Sequence, residues 1–296
     1  MSLWATAAVL LVACGNDGAG TQSSADTQAG AGASTAQTDA PTRDGLPPDP
    51  QQIDFQASDG QMLEGVYYPA ATDPAPIAVL LHWGAGDLSD WWEVAPWLQN
   101  RGLANPFTNP DTRPWWDPSW FPEVPENMSV GVFIITFRGC TPFPAGCQTL
   151  DPEGWLLDAQ AALTHAATLD GADPSRIAAI GSSIGADGAV DACFAVNEQT
   201  PGSCVGALSL SPGSFLDIPY VEAVENLGNN DPTVPAWCLA SPDEIDFCTA
   251  AEGAGNSEFQ TFEIIEGRHG NGLMVPEADP STMQTMIEFL ALVFAD

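Results

Sequence analysis

Ile177-Ala178-Ala179-Ile180-Gly181-Ser182-Ser183-Ile184-Gly185 is the stretch whose reading decides the fold. Its first four residues are a short apolar run, as in a strand buried on both faces. The next five match G-x-S-x-G, and an Ala-rich helix follows over residues 186–195. A strand, a sharp turn and a helix in that order need small residues around the central serine, because its backbone is strained and its neighbours are close. Ser183 then presents its hydroxyl at the C-terminal end of a strand, with a helix N-terminus behind it that favours negative charge. The five letters alone also fit a Gly-rich turn without chemistry. The apolar run before them and the helix after them carry the reading.

Working outward, residues 53–55 and 61–68 flank Ser58-Asp59-Gly60, a hairpin signal. Residues 77–82 and 130–137 are further continuous apolar runs, and residues 91–99 have helical spacing. Residues 155–169 form a helix in which Trp155, Leu156, Ala159, Ala162, Leu163 and Ala166 make one apolar stripe. Strands are expected over 205–210, 236–240 and 259–265, and a closing amphipathic helix over 282–294. Alternating strands and helices imply an α/β fold, a mostly parallel sheet with helices on both faces. Residues 103–129 interrupt the alternation with Trp115, Trp116, Trp120 and several prolines. They read as a surface excursion packed on the domain.

The chain has 296 residues, 39 acids and six bases, for a formal net charge of −33. All six bases are arginine. Without lysine, a P-loop, a Schiff-base lysine and a Ser–Lys dyad are excluded. A nucleic-acid partner and a polybasic membrane patch are excluded by the same balance. Apolar residues at 45% are enough for a folded core. The acids should form a solvated shell whose self-repulsion eases with salt, which suits a salty habitat.

Residues 1–12, MSLWATAAVLLV, are too short to span a bilayer and fit a secretory h-region, although the preceding positive charge is missing. Leu11-Val12-Ala13-Cys14-Gly15 resembles a bacterial lipobox. The resemblance implies a signal peptide over 1–14, lipidation of Cys14 and anchoring of an exported chain to the cell envelope, with the lipid as its only membrane contact. Residues 15–51 are Gly, Ala, Ser, Thr, Gln, Asp and Pro with few large apolar side chains, a flexible tether. The globular domain is expected over 52–296. Setting Cys14 aside leaves Cys140, Cys147, Cys193, Cys204, Cys238 and Cys248, an even set that suggests disulfides in an exported chain. Their spacing favours the pairs Cys140–Cys147, Cys193–Cys204 and Cys238–Cys248, with free buried thiols as the alternative. No CxxC or HExxH occurs, so no metal is expected.

A serine nucleophile needs a base, and without lysine the base is a histidine. Of His82, His165 and His269, only His269 follows Ser183, in Glu266-Gly267-Arg268-His269-Gly270 just after a strand. In nucleophile-elbow enzymes the chain order is serine, acid, histidine. The acid is therefore sought in Ser241-Pro242-Asp243-Glu244, where Asp243 is the first choice and Glu244 and Asp246 are alternatives. An oxyanion hole needs two convergent N–H groups. Ile184 supplies one, and Trp83 in Leu81-His82-Trp83-Gly84-Ala85-Gly86 is the choice for the other. His82 is given a supporting role and His165 no chemistry. Trp83, Trp91 and Trp92 are candidates for an apolar acyl pocket, the last two also reading as helix-packing residues. Arg138, Arg176 and Arg268 lie beside motif loops, and each is expected to pair with a carboxylate.

Over about residues 52–296 these features resemble the α/β-hydrolase superfamily. The resemblance rests on His82-Trp83-Gly84, Phe137-Arg138-Gly139 after a buried strand, Leu157-Asp158-Ala159 before the elbow, Asp173-Pro174-Ser175-Arg176-Ile177 leading into it, and His269-Gly270. Within the superfamily the chain is most similar to the dienelactone-hydrolase-like and acyl-esterase group, with Ser183 where dienelactone hydrolase proper has a cysteine. The resemblance implies an α/β-hydrolase fold without a large cap and with no cofactor. It also implies hydrolysis of a small-molecule ester through an acyl-enzyme on Ser183, Asp243 and His269. A serine peptidase of the same fold and a non-catalytic surface lipoprotein are the alternatives.

Overall fold

The computed structural model describes residues 47–100, 120–126 and 128–295. Cys14, the expected signal peptide, nearly all of the expected tether, and most of the 103–129 excursion, with Arg101 and Arg113, lie outside these residues. Eight strands form one sheet: β1 (Gln51–Gln56), β2 (Met62–Tyr68), β3 (Ala75–Leu81), β4 (Gly131–Ile135), β5 (Ala172–Ser182), β6 (Cys204–Leu210), β7 (Ala236–Ala240) and β8 (Phe259–Glu263). Their order across the sheet is β1-β2-β4-β3-β5-β6-β7-β8. The β1–β2 hairpin is antiparallel and lies antiparallel on β4, and every pairing from β4 through β3 to β8 is parallel.

The continuous apolar runs are strands buried on both faces. In β3, Ile77, Val79 and Leu81 enter one core, while Ala78 and Leu80 enter the other. The first core is covered by α2 (Pro152–Ala166), α3 (Ile184–Gln199), α4 (Tyr220–Gly228) and α5 (Asp246–Ala251), through side chains such as Trp155, Val190, Val224 and Cys248. The second is covered by α1 (Val94–Leu98) and α6 (Thr282–Val293), through Trp97, Leu98, Met286 and Leu290. Helices on both faces follow from apolar side chains on both faces. Among the described residues no helix is long and apolar enough to cross a membrane.

The sequence reading shortens β5, which starts at Ala172 because Ala172 pairs with Ala75 of β3. It also omits α4 and α5. These two are nine and six residues long, too short for their periodicity to stand out. The expected cysteine pairs form, with S–S distances of 2.01, 2.00 and 1.99 Å. Cys193–Cys204 ties α3 to β6, and Cys238–Cys248 ties β7 to α5. Where the excursion returns it packs on α1: the Trp97 indole N–H donates to the Pro122 carbonyl at 2.7 Å, and Val124 is buried. Because β3 and β5 to β8 are parallel, the loops that follow them gather at one edge of the sheet, where the site lies.

Candidate active site

Ser183 caps α3 at φ 54° and ψ −115°, in a region that side chains other than glycine avoid. Its N–H is anchored to the Leu210 carbonyl of β6 at 2.8 Å. A side chain at Gly181 would overlap the Gly185 carbonyl, and one at Gly185 would overlap the Leu81 carbonyl. Only glycine fits either position, which is the physical content of the G-x-S-x-G pattern.

His269 reaches this serine from the loop after β8. Its Nε2 is 2.8 Å from Ser183 Oγ and its Nδ1 is 2.7 Å from Glu244 Oε1. A carboxylate at Nδ1 places the ring proton there and leaves Nε2 to accept from the serine hydroxyl. The loop closes on itself through Arg268 N–H to the Gly272 carbonyl at 3.0 Å and Gly272 N–H to the His269 carbonyl at 3.1 Å. Gly270, at φ 61°, passes so close to the Ser182 hydroxyl and the Trp83 ring that a Cβ would stand 2.8 and 2.9 Å from them.

The carboxylate on His269 is Glu244, not Asp243. The Glu244 N–H donates to the Ser241 carbonyl at 2.9 Å, which closes a turn with Pro242 and Asp243 at its two corners. The corners are exposed, as is Asp246, while Glu244 is half-buried. Cys238–Cys248 brackets this segment, as expected.

Ile184 opens α3, so its N–H is one of the first-turn donors that have no acceptor within the helix. Gly84, next to Trp83, faces it, with a would-be Cβ 3.9 Å from the Ile184 side chain. The Trp83 loop is held on three sides. The Phe137 N–H donates to His82 Nε2 at 2.9 Å, so the ring proton is on Nδ1, which donates to the Trp83 carbonyl at 2.6 Å. His82 is fully buried, which pushes its pKa down to about 4 and keeps it neutral. The Trp83 indole N–H donates to Asp90 Oδ2 at 2.8 Å, and the Cys147 N–H donates to the Gly84 carbonyl at 2.9 Å. The Cys140–Cys147 loop is thus bound to the Trp83 loop.

A cavity of about 540 Å³ opens beside His269. Its apolar wall is Trp83, Phe143 and Val275, and Glu266, Arg268 and Glu277 are its charged groups. Trp91 and Trp92 do not line it: Trp91 is buried in the second core, and Trp92 packs against that core. Phe143 takes the aromatic place the sequence reading gives them; its one signal is its position inside the Cys140–Cys147 loop. His165 stacks on Phe55 at a centroid distance of 5.2 Å and takes no part in the hydrogen-bonded chain at the serine.

Arg138 pairs as expected, with Asp59 of the β1–β2 turn at 2.5 Å and with buried Asp158 of α2 at 2.7 Å. The Arg138 backbone N–H also donates to Asp158 at 2.7 Å. Burial still raises the Asp158 pKa, against the lowering by Arg138. Arg176 pairs with Asp173 at 3.2 Å. Arg268 has no ion-pair partner among the described residues; it is exposed at the cavity, which overturns that expectation. No group of three or more His, Cys, Asp or Glu among the described residues is placed to hold a metal ion.

The sheet order, the serine turn and the loops at the sheet's C-terminal edge define an α/β-hydrolase fold. An esterase of Pyrobaculum calidifontis shares it at TM-score 0.57 and 15% identity, over 84% of this chain and 88% of that one. A dienelactone-hydrolase-like promiscuous phosphotriesterase from metagenomic libraries matches at TM-score 0.55 and 14% identity, over 84% of this chain and 100% of that one. The carboxylesterase EstE1, cloned from a metagenomic library, matches at 0.54 and 14%, over 83% and 88%. In sequence, the uncharacterized protein YfhR of Escherichia coli K12 is 26% identical over 151 residues, which cover 49% of this chain and 43% of that protein. The chain spans less than half the length of the curated relatives it matches. No family model matches.

Proposed function

We propose that the protein is a serine hydrolase of small carboxylic esters. The observation that carries this reading is the hydrogen-bonded chain from Ser183 Oγ through His269 to Glu244, mounted on a positive-φ turn at a helix N-terminus. His269 Nε2 takes the Ser183 proton as Oγ adds to the ester carbonyl, and Glu244 stabilises the resulting imidazolium. The N–H groups of Trp83 and Ile184 receive the negative oxygen of the tetrahedral intermediate. Collapse breaks the bond to the alcohol, which leaves with the proton from His269 and an acyl group on Ser183. Water, deprotonated by His269, then releases the acid and restores the serine. The apolar wall of Trp83, Phe143 and Val275 suits an acyl or alcohol group of modest size. Export and a lipid anchor at Cys14 belong to the same reading, supported by the lipobox-like sequence and the three cysteine pairs.

A fluorophosphonate probe is expected to label Ser183 in the wild type and to leave Ser183→Ala unlabelled. Turnover of p-nitrophenyl esters should fall at least about 10³-fold in Ser183→Ala and in His269→Ala. A folded wild type that neither labels nor turns over any ester of the series overturns the reading, as does cleavage of peptides but not of esters.

A further inference from the structure

Asp187 lies one turn into α3 and is fully buried. Its Oδ1 accepts the Gly213 N–H at 3.2 Å and its Oδ2 accepts the Phe215 N–H. Both donors belong to the loop over residues 211–216, between β6 and α4. In that loop Ser211 and Ser214 both have positive φ, 54° and 55°. Two side-chain-bearing residues in this region within four positions are costly, and such a backbone persists only where its surroundings hold it. A buried carboxylate that accepts two backbone N–H groups from the loop, one on each oxygen, is such a hold.

The loop meets the site. The Phe215 ring stands edge-on to the His269 ring, with centroids 6.1 Å apart and planes at 87°. His269 has 40% of its side chain exposed, so few groups define its orientation besides Ser183 and Glu244. Ser183 caps α3 and Asp187 is on the first turn of the same helix. The loop that touches the histidine is therefore fastened to the helix that carries the serine, although His269 arrives 86 residues later.

We infer that Asp187 is a positioning residue for the reaction: its carboxylate fixes the 211–216 loop so that Phe215 keeps the His269 ring aligned between Ser183 and Glu244. The inference rests on the hydrolase reading above. Asp187→Asn keeps the shape but replaces one of the two accepting oxygens with a donor, opposite backbone N–H groups that cannot accept. Phe215→Leu removes the ring contact at a half-buried loop position and leaves the anchor in place.

The test is a double-mutant cycle of Asp187→Asn and Phe215→Leu in the full chain, read well below each variant's Tm. It measures kcat, KM and the pH profile of kcat/KM with p-nitrophenyl butyrate, and the rate of fluorophosphonate labelling. Each single variant is expected to lose about 10–100-fold in kcat with less than about threefold change in KM, and to label correspondingly more slowly. The limb of the profile that reports the base should move in both. The double variant should be no more than about threefold below the worse single, because both act through one contact. A wild-type kcat and pH profile in either single variant, or losses that multiply in the double, overturns the inference, because a merely structural role would lower Tm and leave these readouts alone. If Asp187→Asn does not fold, Phe215→Leu decides alone: an unchanged kcat overturns the inference, and the expected loss with a moved limb supports it. A wild type that neither labels nor turns over fails the hydrolase reading, and this inference falls with it.

Discussion

Glu244 reaches His269 from a turn whose corners are Pro242 and Asp243, so the backbone decides which of two adjacent carboxylates serves the histidine. Its Oε1 bonds Nδ1, while its Oε2 is buried with no hydrogen-bond partner among the described residues. Glu244→Ala is expected to lower kcat by about 10²–10⁴-fold, and Asp243→Ala to leave it within about threefold. Glu244→Gln should fall between them. Nothing pins the second oxygen, so the amide can still turn its carbonyl to Nδ1–H and keep the tautomer, losing only the charge. Steady-state kinetics on the three variants checks this; equal losses in Asp243→Ala and Glu244→Ala would count against the assignment. The serine and the histidine are legible in the sequence, because a strained turn demands Gly181 and Gly185 and only one histidine follows. The acid is not, since Asp243, Glu244 and Asp246 lie within four positions and only the closed turn separates them.

At the scale of elements, the central strands β3, β4 and β7 are readable because each is buried on both faces and so reads as an unbroken apolar run, while the edge strands β1 and β8 are largely polar and partly exposed. What the sequence does not show is the short: α4, α5 and the loop over 211–216, which Asp187 holds from outside through the Gly213 and Phe215 N–H groups. Helix α3 carries an unusual load for a buried element. Asp191 is one turn beyond Asp187, 1% exposed, and neither of its oxygens has a hydrogen-bond partner among the described residues. Burial pushes its pKa up to about 8, helped by the charges of Asp187 and of Glu222 on α4. Burial also pushes Asp187 up to about 6, against the backbone N–H groups that lower it. An unfolded aspartate titrates near ~3.9. Between about pH 4 and pH 8 the folded chain therefore keeps a proton on Asp191 that the unfolded chain has lost, and stability falls as pH rises through this window. Asp191→Asn removes that slope and leaves the smaller one from Asp187, which ends near pH 6. Melting curves at pH 5 and pH 8 should show the wild type losing more stability than the variant, by about 1 kcal/mol or more. Equal losses would mean that Asp191 is already ionised at pH 5.

Across the whole molecule, the alternation of strands and helices predicts the layers but not that β4 lies outside β3, which depends on how the chain crosses the sheet. The charge balance was legible only in part. Of the three motif arginines, Arg138 and Arg176 are bound to carboxylates, and Arg138 joins the β1–β2 turn to α2. Six bases cannot neutralise 39 acids, and a net charge of −33 repels itself more strongly in the compact state than in the unfolded one. Screening should relieve this. The Debye length shrinks from about 30 Å at 0.01 M to about 8 Å at 0.15 M salt, so most of the relief comes below about 0.2 M. Unfolding free energy is expected to rise by at least about 1 kcal/mol between 0.01 and 0.2 M NaCl, or about 2–4 °C in Tm for a domain of this size. The exposed Arg138–Asp59 contact weakens over the same range, but one surface ion pair is too small to reverse the sign. A Tm that climbs only in molar salt would instead report solute exclusion, which strengthens apolar burial whatever the charge. A flat or falling Tm below 0.2 M would show that the acids are spaced widely enough not to strain the fold.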